Sequence, residues 1–145
     1  MARIETRRTI RAPREELFDT TAHIEEYAEV IPHITKVEFL TDQRVGVGTR
    51  FKETRQMGRR SATTELEVAE YERPDRVRMV SDAGGTMWDT TFTYTSTQAG
   101  TDVHLVMDIR PHTFLARIVT PFIKGSVGKA VQADLDAVKR HFERS

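Results

Sequence analysis

Cysteine is absent from this chain. Its absence excludes disulfides, thiolate nucleophiles and thiolate-bound zinc or iron–sulfur centres. An excess of one charge is missing too, since Lys and Arg total 22 and Asp and Glu total 22. No overall field draws the chain to nucleic acid, so no nucleic-acid partner is expected. Lys124, Lys129, Lys139 and Arg140 share one helical segment, and they read as a solvated face. No apolar run reaches the roughly 18 residues of a membrane span, so integral membrane association is not expected. The opening Met1-Ala2-Arg3-Ile4-Glu5 lacks the apolar stretch of a signal peptide, which leaves the cytoplasm as the expected location. Catalytic and metal-binding motifs are also missing. The five histidines, His23, His33, His104, His112 and His141, are scattered without metal-ligand spacing. Ser61, Ser81, Ser96, Ser126 and Ser145 sit in no nucleophile elbow. No metal, no cofactor and no catalytic set is expected.

What the chain does have is pattern. At 145 residues, 38% hydrophobic and 30% charged, it suits a single domain spanning residues 1–145. That length buries roughly 70% of the unfolded surface. Ile4 to Arg11 alternates and reads as a strand. Ala12-Pro13-Arg14-Glu15-Glu16 reads as a helix start, with proline at the first helical position and acidic residues beside the helix N-terminus. A second short helix covers Ile24 to Val30 and stops before Pro32, because proline pushes its predecessor into extended geometry. From Thr35 the period becomes two. Strands are predicted over 36–40, 49–57, 60–71, 77–81, 86–96 and 101–110. Between them stand turn residues: Gly46 and Gly48, Gly58, Arg73-Pro74-Asp75, Gly84-Gly85 and Gln98-Ala99-Gly100. Short strands joined by tight turns predict an antiparallel meander.

The last thirty residues change period again. Ile118, Val119, Phe122, Val127, Val131, Leu135, Val138 and Phe142 recur at spacings of three and four, the stripe of an amphipathic helix. Pro121 falls inside it. Proline removes a backbone bond, so the helix is expected to kink there or to restart with Thr120 as its cap. One long helix burying its stripe against one curved sheet encloses a hollow.

Several stretches resemble the helix-grip fold of the SRPBCC superfamily, which joins START lipid-transfer domains, polyketide cyclases/dehydrases and coenzyme-Q-binding proteins. Residues 10–18, Ile-Arg-Ala-Pro-Arg-Glu-Glu-Leu-Phe, are similar to its first strand-to-helix junction. Residues 24–32 resemble its second helix, with Ala28 where proline is common. Residues 46–51, 70–77 and 100–103 resemble recurrent turns. The resemblance covers nearly the whole chain. It implies an α+β fold in which a seven-stranded curved antiparallel sheet carries two short helices and a long C-terminal helix over a cavity. These motifs specify turns and packing, so function has to be read from the lining.

Strand alternation predicts that lining. Trp88, Thr90, Phe92 and Tyr94 form the aromatic face of their strand, and Phe51, Glu53, Arg55 and Met57 the more apolar face of theirs. Val103, Leu105, Met107 and Ile109 face the same way. Glu53 and Arg55 are either a polar anchor for a ligand or a pair satisfied by neighbours, since a lone buried charge is costly. Phe114, Leu115, Ile118 and Phe122, with Tyr27 and Ile31, are candidates for a gate at the cavity mouth. Plain core is the other reading of these six. Gly125 and Gly128 either leave room beneath the helix or allow close contact with the sheet. Asp134 and Asp136 read as solvated. His33 and His112, at element ends, are the best acid–base candidates and are otherwise surface residues.

Three functions follow from the resemblance and the lining. The first is binding of a hydrophobic small molecule or lipid for transport, sequestration or presentation, by a monomer or homodimer. The second is a cyclase/dehydrase acting on a polyketide or aromatic substrate, with Glu53, Arg55, His33 and Tyr94 as suspects. The third is a protein-interaction module using an outer surface.

Overall fold

A computed structural model describes residues 2–144; Met1 and Ser145 lie outside the described residues. Elements follow the predicted order: β1 (Ala2–Ile10), α1 (Arg14–Ala22), α2 (Ile24–Val30), β2 (Ile34–Phe39), β3 (Arg50–Met57), β4 (Arg60–Glu72), β5 (Arg76–Ala83), β6 (Thr86–Thr97), β7 (Gly100–Pro111) and α3 (Phe114–Glu143). The sheet is antiparallel, with strand order β1-β7-β6-β5-β4-β3-β2. β2 to β7 is the predicted meander, and β1 crosses to pair with β7. Register shifts at Ile34/Lys36 and Val68/Glu70 are irregularities of the kind that bends a strand and lets a sheet curve. One close approach requires glycine. A Cβ on Gly100, whose φ is +131°, would sit 2.2 Å from the Ile10 carbonyl oxygen. The β6–β7 turn is thereby seated on the end of β1.

Period-two burial sorts the faces as the sequence predicts. Phe51, Val77, Phe92, Tyr94, Val103 and Leu105 are buried on the inner face, where α1 and α2 add Leu17, Phe18, Ile24 and Tyr27. Phe18 lies at the centre of an aromatic knot, edge-on to Tyr71 at 5.2 Å and Tyr94 at 5.3 Å. Such edge-to-face pairs add to the burial of the rings themselves. Pro13 sits one residue outside α1, extended at φ −65° and ψ 147°, and its carbonyl accepts the first helical bond from Leu17.

α3 runs unbroken through Pro121. Its cap is Thr113, whose side chain accepts from the Ala116 N–H. Thr120 is no cap: its hydroxyl donates to the Ala116 carbonyl at 2.6 Å. The carbonyl that Pro121 cannot serve belongs to Arg117, an exposed residue, so the missing donor falls on the solvent side of the helix.

The predicted stripe divides at that proline. Beyond it, Val131, Leu135 and Val138 are buried, and polar bonds latch the helix to β1. Arg8 Nε donates to Asp136 at 2.6 Å, Lys139 Nζ donates to the Thr9 carbonyl at 2.6 Å, and the Arg11 N–H donates to Glu143 at 3.0 Å. Ile118 and Val119, before it, and Phe122, the residue directly after it, are exposed.

The outer face carries one tight ionic cluster. Arg78 donates to both oxygens of Asp89 at 2.8 and 2.7 Å, and Arg110 donates at 2.8 Å. The Arg78 bonds outweigh burial and, with Arg110, hold the Asp89 carboxyl down to about 2. The folded value lies below the unfolded one. The stabilisation is therefore complete above the ordinary carboxylate range and is lost as pH falls toward about 2. It corresponds to about 2 kcal/mol at neutral pH. Asp89→Asn is expected to lower the unfolding free energy by that amount at neutral pH. The gap from the parent protein closes through the acid range, as urea unfolding at stepped pH would show.

Candidate functional site

The hollow between sheet, α1, α2 and α3 has two compartments. An inner cavity of about 140 Å³ is closed by Thr21, Ile24 and Tyr27 from the short helices and floored by Phe51, Val77, Phe92 and Leu105. An outer groove of about 470 Å³ runs past Trp88, Met57 and Ser81 toward Val127 and Ala130 of α3. Leu66, Met79, Thr90, Met107 and Val131 line both, and so do Glu53, Arg55 and Asp134. The two compartments therefore adjoin, with these eight side chains as their common wall.

Its polar content is concentrated in a single cluster. The alternation of β3 turns Glu53 and Arg55 inward. Arg55 Nε donates to Glu53 at 2.7 Å, and its Nη1 and Nη2 donate to the two Asp134 oxygens at 3.1 and 2.9 Å. The Tyr27 hydroxyl donates to Asp134 at 3.0 Å. Burial works against the Arg55 charge, but the Asp134 bonds and the Glu53 charge outweigh it and hold its pKa above the usual arginine value. Burial, then the Asp134 charge, pushes the Tyr27 hydroxyl well above its ordinary value, so it stays a proton donor at neutral pH. One cation stands between two carboxylates, giving the ionised cluster a formal charge of minus one.

The structure distributes the predicted residues unevenly. Tyr27, Phe51, Glu53, Arg55, Thr90 and Phe92 line the inner cavity, and Trp88 lines the groove. Tyr94 and Ile31 are buried behind the lining. Tyr94 is bonded there to the Thr21 hydroxyl, and burial raises its pKa. The gate expectation fails for α3: Phe114, Ile118 and Phe122 line neither compartment and are 79%, 49% and 82% exposed. At 3.6 residues per turn, the buried Ala116 and Thr120 mark the inward side, which puts those three on the opposite side. Asp134 corrects the sequence reading in the other direction, being buried and bonded rather than solvated. Added Cβ atoms on Gly125 and Gly128 would meet nothing within 4 Å, so neither glycine marks a close helix–sheet contact. His33 and His112 are exposed and line neither compartment; His112 lies 2.8 Å from Asp82.

Several lining residues escaped the sequence reading, among them Thr21, Ile24, Leu66, Val77 and Met79, and with them Asp134 and Ser81. Asp134 occupies a stripe position, three after Val131 and four before Val138. An acid on that stripe opposite an inward Arg55 was the available signal. Ser81 is buried in the groove wall, and its hydroxyl has no hydrogen-bond partner among the described residues. A buried hydroxyl without a partner is costly unless something else satisfies it.

Comparison with known proteins agrees with this architecture. Residues 1–143 match the family described as polyketide cyclase / dehydrase and lipid transport. Among solved structures, the Thermus thermophilus protein TTHA0849 superposes with a TM-score of 0.77 at 17% identity, covering 96% of this chain and 95% of that one. Ara h 8.0201 superposes with a TM-score of 0.81 at 13% identity, covering 99% of both chains. The di-domain ARO/CYC BexL of the BE-7585A biosynthetic pathway has a TM-score of 0.81 at 15% identity; the match covers 99% of this chain and 50% of BexL. At these identities the likeness is one of fold. No curated relative matches the chain in sequence.

Removing the cation from the cluster leaves two part-buried carboxylates uncompensated, a change that costs about 3–5 kcal/mol when the pair is buried. Arg55→Met is expected to approach the lower end of that range in urea unfolding at neutral pH. Tyr27→Phe, which loses one hydrogen bond, is expected to cost about 1 kcal/mol.

Proposed function

The chain belongs to the polyketide cyclase / dehydrase and lipid transport family, and from that premise we propose that it holds an apolar small molecule or lipid bearing a hydrogen-bond donor at its polar end. It works in the cytoplasm as a monomer or homodimer. The observation that carries this reading is an apolar two-compartment site whose single charged cluster is formally anionic. Ligand pockets run to roughly 300–1,000 Å³. The inner cavity of about 140 Å³ is below that range and the groove of about 470 Å³ is within it, so the ligand occupies both.

The cluster selects the polar end. Three of the Arg55 N–H groups are committed to Glu53 and Asp134. Glu53 keeps one oxygen outside that bond, and a carboxylate oxygen only accepts. A hydroxyl, phenol or amine suits it. An ionised carboxylic acid brings a third negative charge beside Glu53 and Asp134 and is disfavoured. The Ser81 hydroxyl offers a second contact along the groove.

Cyclase/dehydrase chemistry is the second reading, and the same Glu53 oxygen favours it as a general base facing the cavity. A ligand recovered unchanged supports holding; a ligand consumed in the presence of protein and spared by Glu53→Gln supports catalysis.

The test is native mass spectrometry of protein purified from its host, followed by thermal-shift titration with matched long-chain alcohols, phenols and fatty acids. Alcohols or phenols are expected to bind on the order of tenfold tighter than the matched acids, the worth of one hydrogen bond to a charged group. Glu53→Gln should erase that preference. Equal or tighter binding of the acid, or no ligand from host or panel, would overturn the proposal.

A further inference from the structure

The first turns of α3 have no task in the cavity, yet they carry the most exposed apolar side chains among the described residues. Phe114, Ile118 and Phe122 form one line, and Leu115, 70% exposed, and Val119 lie beside it. Contiguous bare apolar patches mark interaction surfaces. Opposite them, Ala116 and Thr120 give the helix only small inward side chains, so packing onto the sheet does not explain the ridge. The charges of the segment decide what fits it. No acidic residue occurs from Ile109 to Ala133, whereas Arg117, Lys124 and Lys129 all do, and all three are exposed. The latched half beyond carries both signs, with Asp134, Asp136 and Glu143 among Lys139, Arg140 and Arg144. Along this segment the charges are thus all cationic, and the acid that meets its start, Asp82, is bonded to His112.

We infer that this half of α3 docks on the surface of an anionic lipid bilayer. Phe114, Ile118 and Phe122 enter the headgroup–acyl boundary while Arg117, Lys124 and Lys129 meet lipid phosphates and carboxylates. An interfacial helix combines these features: aromatic and branched residues on one face, flanked by lysine and arginine, in a segment far too polar to span. Among the described residues no helix is long and apolar enough to cross a membrane, so the contact is peripheral. The position is apt for exchange of an apolar cargo. The foot of the helix is held to the β5–β6 hairpin by a bond from the His112 N–H to the Gly85 carbonyl at 2.8 Å. About four turns further along, Val127 and Ala130 wall the outer groove. Docking stands on the ridge and its charges alone, so it is independent of what the cavity holds.

Vesicle flotation tests it, with phosphatidylcholine vesicles carrying or lacking phosphatidylserine. The full chain is expected to float with the anionic vesicles, to bind neutral ones weakly, and to be released by salt. Phe122→Glu and Phe114→Glu should abolish flotation. Lys124→Gln and Lys129→Gln should each weaken it about fivefold. Because these side chains are exposed, the variants are expected to keep the parent melting temperature and its ligand thermal shifts. That separates failure of docking from failure of the cavity reading. No flotation with anionic vesicles, or equal flotation of the parent and Phe122→Glu, would overturn the inference. So would a dimer in light scattering that Phe122→Glu splits without any vesicle binding, since the ridge would then serve a second copy.

Discussion

The bidentate pair between Arg55 and Asp134 is the constraint on which the site depends. α3 rests on β1 and β7, at one end of the sheet order, while Arg55 projects from β3 near the other end. The pair therefore spans the hollow, and Tyr27 from α2 joins it. Polar side chains from three elements, β3, α2 and α3, are brought to one point. Buried ion pairs contribute little net stability against apolar replacements of the same shape. What this one supplies is position: it fixes the distance between helix and sheet, and hence the width of the space between them. The surrounding apolar lining provides the driving force for closure, and the cluster decides where closure stops.

Most of the fold is legible in the sequence because its signals are local. Alternation over 86–96 puts Trp88, Thr90, Phe92 and Tyr94 on one face, and each does face inward. Glycine and proline mark the hairpins because those backbones need them. The site is legible only where it lies on strands. A strand has two faces, so one apolar residue orients its neighbours. A helix has a continuous circumference, and there the sequence misleads twice. Apolar character argues for Phe122 inward, and charge argues for Asp134 outward. Both are decided by partners instead: the small Ala116 and Thr120 that face inward in place of Phe122, and Arg55, whose charge makes the inner position of Asp134 tolerable.

α3 consequently divides its work just past Pro121, after Phe122. The half beyond it is amphipathic in the ordinary sense, with Val131, Leu135 and Val138 inside and an ionic latch to β1. The half before it faces solvent with apolar residues. Reading the thirty residues as one stripe merges two segments with opposite hydrophobic faces, joined by a backbone that happens to continue.

The latch also separates two kinds of inheritance. Arg8, Asp136, Lys139 and Glu143 hold the helix from outside the cavity, and none of them lines it. Substitutions in the lining can accumulate without unseating the helix, and a new cargo does not require a new scaffold. Descendants of such a chain can keep their shape long after their sequences and their ligands have parted company. Asp134 is where this freedom ends, because anchoring and lining fall there on the same side chain, and a lineage that changes it must renegotiate both at once.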